Sequence, residues 1–164
     1  FCNRLSITDK ILLRIVNGSQ GYEPGKITKS GLNFGLPETP CDFHDLDWLP
    51  GACVLHRKTN LITHDYFPLN GKAFSEDLFH SSLLREAGIR LGRVGSAICY
   101  VDFTSSKVSL PQLFVTYLKY YRSMRIYVVR LGKVTWRLQL YIIFRITQLI
   151  ANKIAKYVSV KSRI

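Results

Sequence analysis

The last third of the chain restricts the fold more than any other stretch, because little in it would interrupt a helix. From residue 110 to residue 164 there is one proline, Pro111, and one glycine, Gly132, the two residue types least favourable inside helices. At about 100° per residue, polar and basic side chains share a face about 120° wide, and apolar side chains occupy the opposite face. The polar face comprises Lys119, Arg130, Lys133, Arg137, Arg145 and Gln148. The pattern predicts one long amphipathic helix.

The net charge of +12 comes entirely from this end of the chain. Residues 1–102 carry 11 Lys and Arg and 11 Asp and Glu, whereas residues 103–164 carry the remaining 12 basic residues and no acid. Uncharged runs such as 138–144 are much shorter than the roughly 18 residues of a membrane-spanning helix. We therefore expect the segment to lie on an anionic membrane surface, which would attract its charge and accept its apolar face.

Two other partners remain open for the basic segment. Its interleaved aromatic residues would suit a nucleic acid, although binding a nucleic acid would not require the continuous apolar face. The segment could also be a pair of helices that packs on the rest of the protein or on a second subunit, giving a homo-oligomer. A hydrophobic content of 47% excludes a disordered chain.

Segments of helix and strand type alternate over the first hundred residues. Ser6 and Asp9 have the spacing of a capping box and predict a helix over residues 6–17. Three further segments have strand character: a hairpin arm at 26–35, a turn and buried strand at 46–57, and two short strands at 89–103. This order predicts an α/β domain over residues 1–103, followed by an amphipathic helical extension over residues 104–164.

The stretch GKAFSEDLFHSSLLREAG, residues 71–88, predicts a helix that begins with two carboxylates. Ser75 is a favourable N-cap, Glu76 and Asp77 follow in the first turn, and Gly88 ends the helix. Acidic residues at this position suit the positive end of the helix dipole, which would explain them and keep Asp77 ionised. A general base is the alternative explanation, and the spacing alone favours the helix-dipole explanation over it.

Metal-binding patterns are present but weak. Asp45 and Asp47 form a DxD pair with hard oxygen ligands suited to Mg²⁺ or Mn²⁺, yet a solvated loop explains it more simply. Zinc-like spacings occur in two pairs, Cys41 with His44 and Cys53 with His56. The second pair lies in the expected strand, where residues three apart point to opposite faces. His64, His80 and the cysteines form no evident catalytic partnership, and the absence of CxxC spacing is typical of reduced cytosolic thiols.

Three motifs, in order along the chain, resemble family 2 glycosyltransferases, which have the GT-A fold. Residues 47–57, DWLPGACVLHR, are similar to the family's acceptor-side W-L-x-G-G/A strand. Residues 71–78, GKAFSEDL, are similar to its E-D motif, and residues 84–91, LREAGIRL, to its L-R-x-x-G-h-x-h passage from helix to strand. Residues 26–35 resemble the hairpin that precedes these motifs. The resemblance implies part of the GT-A mixed sheet with its helices.

The resemblance also implies an inverting transfer of a sugar from a nucleotide-sugar donor to an acceptor hydroxyl. Asp77 would be the general base, and Glu76 would position the acceptor. The substrate pocket would be lined by Trp48, Leu49, Pro50, Gly51 and Ala52. With the basic tail, this describes a cytoplasmic enzyme of polysaccharide biosynthesis, peripheral to the inner face of the cell membrane. Its acceptor would be a lipid-linked or cell-surface glycan.

The chain departs from the family pattern in ways that affect the donor and the metal. The family's nucleotide-binding half and its DxD precede the W-L-x-G strand, and only residues 1–45 precede it here. We therefore expect that half to be missing, this chain alone to be inactive, and the pair Asp45 and Asp47 to lie outside the family's metal site. The alternative is a non-enzymatic fragment of such a transferase that binds a membrane or another protein. A family histidine after the last strand is also absent, which leaves Asp102 as a weak candidate ligand for Mg²⁺ or Mn²⁺ in the complete enzyme.

Overall fold

The protein is mostly helical, with a small antiparallel sheet. A computed structural model describes residues 6–18, 21–35, 44–51, 54–70, 74–96 and 109–161. The helices are α1 (Ile7–Asn17), α2 (Glu76–Glu86), α3 (Leu110–Arg130) and α4 (Thr135–Lys161). Strands β1 (His44–Leu46) and β2 (Leu91–Arg93) pair so that Leu46 lies opposite Leu91, and a 3₁₀ turn covers Lys58–Asn60. None of the helices in the described part of the chain is long and apolar enough to cross a membrane.

Helix α1 begins as the capping box predicts. The Asp9 N–H donates to the Ser6 hydroxyl at 3.1 Å, and the Ser6 N–H donates to the Asp9 carboxylate at 3.2 Å. Together they satisfy two backbone donors that an uncapped helix would leave unpaired. Leu13 and Val16 are almost fully buried, so this short helix is held in place by packing on one face.

The C-terminal segment forms two helices, so the prediction of one continuous helix is wrong. The chain turns at residues 131–134, and α4 folds back against α3. Because the turn separates α3 from α4, the 100° spacing no longer relates side chains of one helix to those of the other. The side chains predicted to share one polar face therefore do not share one. Arg137 donates to the Val16 carbonyl and Arg145 to the Asp9 carboxylate, so both contact α1 and do not form an open basic face.

The main hydrophobic core joins the two helices of the tail to the earlier segments. Its buried members come from the 21–35 loop, the segment after β1, α2, α3 and α4, and are Leu32, Trp48, Leu78, Phe79, Met124, Tyr127, Val128, Leu138 and Ile142. A second cluster of Leu46, Leu84 and Leu91 fixes the sheet against α2. The structure thus has the helical pair packed on the rest of the chain, the alternative left open by the sequence.

Two expected strands do not form in the described residues. Residues 54–57 are irregular and Leu55 is 99% exposed, so the prediction of a buried strand there is wrong. In the 26–35 segment, only a single bridge pairs Ile27 with Asn33. Residues 97–108, which include the second part of the predicted 89–103 strands and Asp102, lie outside the described residues. The described part therefore contains β1 and β2 but no GT-A mixed sheet, and the boundary near residue 103 stays a prediction.

Candidate active site at the start of α2

Two of the three sequence motifs meet at the first turn of α2. A Cβ built at Gly51 would lie 4.0 Å from the Cβ of Asp77. Ser81 links the same two segments, because its hydroxyl accepts from the Leu49 N–H at 3.0 Å and donates to the Asp77 carbonyl at 2.7 Å. The W-L-P-G segment is thereby fixed against the turn that carries the E-D pair. Ala52, the last predicted pocket residue, lies outside the described residues.

Burial has the largest effect on the Asp77 carboxyl. It raises the pKa of Asp77 above its ordinary value of 3.8, and the neighbouring Glu76 charge adds to the rise. The Leu78 N–H donates to Asp77 Oδ1 at 3.0 Å and lowers the pKa, but this does not cancel the desolvation. The N-terminal position of the helix therefore explains only part of the electrostatics. A half-buried carboxylate whose pKa is raised in this way is a stronger proton acceptor than a fully solvated one.

Glu76 belongs to a polar cluster on the neighbouring face of the turn. The Tyr66 hydroxyl donates a short hydrogen bond to Glu76 Oε1. One helical turn later, the His80 ring stacks on Tyr66 with centroids 5.6 Å apart and meets His56 edge-on at 5.0 Å. Burial lowers the pKa of His80, His56 lowers it further, and Glu76 opposes both. The i, i+4 spacing of Glu76 and His80 was a usable signal for this cluster, but the loop residues Tyr66 and His56 gave none.

Trp48 lies beneath the site, in the main core. It is 8% exposed, and its indole N–H has no hydrogen-bond partner among the residues that the structure describes. Leu49 and Pro50 are half-buried above it. Just ahead of the E-D pair, Ser75 has a φ of +60° and makes no side-chain cap. A non-glycine residue in this region is strained, and such strain is concentrated at functional sites.

The DxD aspartates are paired with cations in the described structure. Asp47 lies 3.5 Å from Lys26 Nζ and 3.6 Å from an Arg85 nitrogen, and it also accepts from the Ile27 N–H at 3.0 Å. Asp45 is paired with Arg90 at 3.7 Å. With these charges already compensated, the two carboxylates fit a structural role better than a metal site.

No cluster of potential metal ligands is present in the described part of the chain. Its His, Cys, Asp and Glu residues do not form a cluster of three that could hold an ion. Of the predicted zinc pairs, Cys41, Cys53 and the His44 side chain lie outside the described residues, and His56 packs on His80. Asp102 likewise lies outside the described residues.

A cavity of about 510 Å³ lies between α3 and α4, next to this site. Phe74 forms one of its walls, three residues before Asp77, and the Phe74 carbonyl accepts a short hydrogen bond from the Ser123 hydroxyl of α3. Aromatic and polar side chains of the two long helices complete it, among them Tyr117, Tyr120, Tyr141, Arg145 and Gln148. The sequence motifs gave no indication of this cavity, because it forms only when the tail folds back.

Comparison with known proteins finds no family model, curated protein or solved structure that matches this chain. The chemistry available at the start of α2 is that of a half-buried carboxylate beside Gly51. The adjoining cavity supplies room for a ligand of moderate size.

Proposed function

We propose that the start of α2 is the acceptor side of an inverting glycosyltransferase of the family 2, GT-A type, with Asp77 as general base. The observation that carries the proposal is the proximity of Gly51 to Asp77, where a Cβ added at Gly51 would lie 4.0 Å from the Asp77 Cβ, and the Ser81 hydrogen bonds hold the two segments together. It joins the W-L-P-G and E-D motifs, whose order resembles that family, at one point in space. If Glu76 and Asp77 were surface residues that only suit the helix dipole, Asp77 would need neither to lie beside Gly51 nor to be partly buried.

In the proposed reaction, Asp77 takes the proton of the acceptor hydroxyl as its oxygen attacks the anomeric carbon of the donor. The new C–O bond forms on the face opposite the leaving nucleotide diphosphate, which departs with the electrons of the broken bond, so the anomeric centre inverts. A base must reach the hydroxyl directly and must bind the proton well enough to assist. The raised pKa of Asp77 meets the second condition.

The neighbours of Asp77 suit the remaining roles. Gly51 has no side chain, so a substrate hydroxyl can approach the carboxylate where any larger residue would project towards Asp77. Glu76 is held by Tyr66 and can accept a hydrogen bond from a second hydroxyl of the acceptor. The nucleotide and any Mg²⁺ or Mn²⁺ would be bound by other parts of the complete enzyme. Asp45 and Asp47 do not fit the ion, because cations already pair with them.

The test is Asp77→Asn in the full-length protein, assayed for transfer from nucleotide-sugar donors with folding checked by circular dichroism. Loss of a general base lowers turnover by about 10²- to 10⁴-fold, and we expect a loss of that size with the fold intact. Asp45→Asn is the matched control, since it removes the same charge from the sheet, and it should retain activity. Full activity of Asp77→Asn would exclude Asp77 as the base.

We also propose that the tail helices hold this enzyme at an anionic membrane surface on the cytoplasmic side. The outward face of α4 carries apolar residues at intervals of three, four or seven, each 38–62% exposed. They are Trp136, Leu140, Ile143, Ile150 and Ile154. Residues 103–164 carry 12 basic residues and no acid, of which Arg137 and Arg145 bind α1. Exposed apolar surface within a basic segment suits shallow insertion among anionic lipids.

Flotation with phosphatidylglycerol and phosphatidylcholine vesicles tests this attachment. We expect binding to the anionic vesicles only, and weaker binding of Ile143→Glu, which places a charge in the apolar stripe. Ala155→Glu adds the same charge to the same helix outside the stripe and should bind more like the unmodified chain. Binding to a DNA or RNA oligonucleotide without binding to vesicles would favour the nucleic-acid alternative. Dimerisation that is abolished by Ile143→Glu, without vesicle binding, would assign the stripe to a second copy.

A further inference from the structure

The cavity between α3 and α4 is physically joined to the turn that carries Asp77. Phe74 forms part of its wall, and the Ser123 hydroxyl ties the Phe74 backbone to α3. Burial raises the pKa of Tyr120 in the wall, with smaller contributions from Tyr141 and Asp77. The volume of about 510 Å³ is within the usual range of about 300–1,000 Å³ for ligand pockets.

The charge of the cavity is internally balanced. Arg145 donates to the Asp9 carboxylate at 2.6 Å, to Gln148 Oε1 at 2.8 Å and to the Tyr141 hydroxyl at 3.1 Å. The Arg145 side chain is 22% exposed and its Asp9 partner 13%, so this pair is shielded from water. A phosphate or carboxylate ligand would have to compete with Asp9 for the guanidinium. The cavity therefore favours an uncharged ligand.

The wall offers two kinds of surface. Phe74, Tyr117, Tyr120 and Tyr141 contribute aromatic rings, and Gln148 and Asn152 contribute amides. Ring faces accommodate the C–H face of a pyranose, while planar amides pair with hydroxyls that both donate and accept hydrogen bonds. An apolar lipid chain could make no hydrogen bond to these amides, of which Gln148 already accepts from Arg145 and Asn152 is exposed to solvent. A sugar ring uses both surfaces.

We propose that this cavity binds an uncharged pyranose unit of the acceptor glycan, beside the residue to be glycosylated. Its assignment to the acceptor rests on the proposed function, because it adjoins the proposed base. Its assignment to a neutral sugar rests on the lining and the Arg145–Asp9 pair alone. The tail helices would then form part of the acceptor site in addition to contacting the membrane.

The 164-residue chain can be tested directly with methyl pyranosides of glucose, galactose, mannose and rhamnose, and with inorganic phosphate. Binding is measured by saturation-transfer NMR and titration calorimetry. We expect at least one neutral glycoside to bind, with an affinity about tenfold or more lower in Tyr117→Ala and Asn152→Ala. Phe114→Ala is the matched control, since it removes a half-exposed ring from the same helix outside the cavity, and it should bind as before.

Other outcomes would overturn the inference. These are binding of phosphate but of no glycoside, binding of none of the probes, or glycoside binding that Tyr117→Ala leaves unchanged. The two proposals can fail separately. If the full-length protein transfers sugar but Tyr117→Ala leaves the acceptor KM unchanged, the cavity assignment fails and the function stands. If glycosides bind in a Tyr117-dependent way but the full-length protein transfers no sugar, the proposed function fails and the assignment of the cavity to a neutral sugar stands.

Discussion

Replacing Gly31 with alanine tests the packing of the tail helices on the N-terminal part of the chain. Gly31 has a φ of +81°, and a Cβ there would lie 2.3 Å from Val128 Cγ2 of α3. Val128 is fully buried, so it cannot move towards solvent to relieve the overlap. A residue with a Cβ in the left-handed region costs about 1–2 kcal/mol. Overpacking of a filled core costs about 1–3 kcal/mol more, so we expect Gly31→Ala to lose about 2–5 kcal/mol.

Gly88 provides a matched control for the backbone contribution. Its φ of +76° is close to that of Gly31, but a Cβ there would meet nothing within 4 Å. Gly88→Ala should therefore lose only about 1–2 kcal/mol. The difference between the two variants measures the steric overlap with Val128. Urea unfolding followed by circular dichroism gives both values by linear extrapolation.

A double variant isolates the overlap further. Val128→Ala removes the Cγ2 atom that would overlap the added methyl, and the next contact, to the Val128 Cβ, is an ordinary 3.5 Å. Gly31→Ala should therefore cost less in the Val128→Ala background than in the wild-type background. If Gly31→Ala is no more destabilising than Gly88→Ala, the 21–35 loop does not pack on α3 as described. The shared core would then be in doubt.

Two other perturbations follow from the charges. Because folding raises the pKa of Asp77, the native state binds that proton more tightly than the unfolded state, so stability falls as pH rises from 3.8 through the folded-state pKa. Asp77→Asn removes this loss and should be more stable than wild type at pH 7 in urea unfolding; a less stable variant would contradict the burial argument. Arg145→Gln breaks the shielded 2.6 Å pair with Asp9 and should cost about 1–3 kcal/mol. Arg130→Gln breaks the more exposed 2.9 Å pair with Glu86 and should cost less than about 1 kcal/mol; equal losses would contradict this ranking.

Elements with local start and stop signals are the ones that the sequence predicts well. The capping box at Ser6 and Asp9 predicts α1, and the run from Ser75 to Gly88 predicts α2 to within one or two residues. The start of α1 relies on capping contacts within a few residues, which a sequence pattern can express. The predicted cap by Ser75 does not form, although α2 begins at the next residue. The break between α3 and α4 depends on a single glycine, Gly132, which alone is a weak signal against a long helical period.

The site residues named from the sequence stay a prediction, and the structure adds where they lie. The resemblance singles out Gly51 and Asp77 separately, and the contact between them depends on how the chain packs. Ser81, which joins the two segments, has no motif of its own, and neither does Tyr66, which binds Glu76. These residues act through long-range hydrogen bonds between loop and helix, which sequence spacing does not encode.

The sequence by itself determined that the tail is helical, basic and apolar on part of its surface, and that two carboxylates begin α2. Composition and helical period are local properties, so they do not depend on how the rest of the chain packs. Only the tertiary structure decided which tail residues are buried and which are exposed, as Ile142 and Ile143 illustrate at 5% and 62% exposed. It also decided that the segments carrying Gly51 and Asp77 would meet beside a cavity. A helix fixes the angle between its side chains, but the elements packed against it determine which angle faces the core.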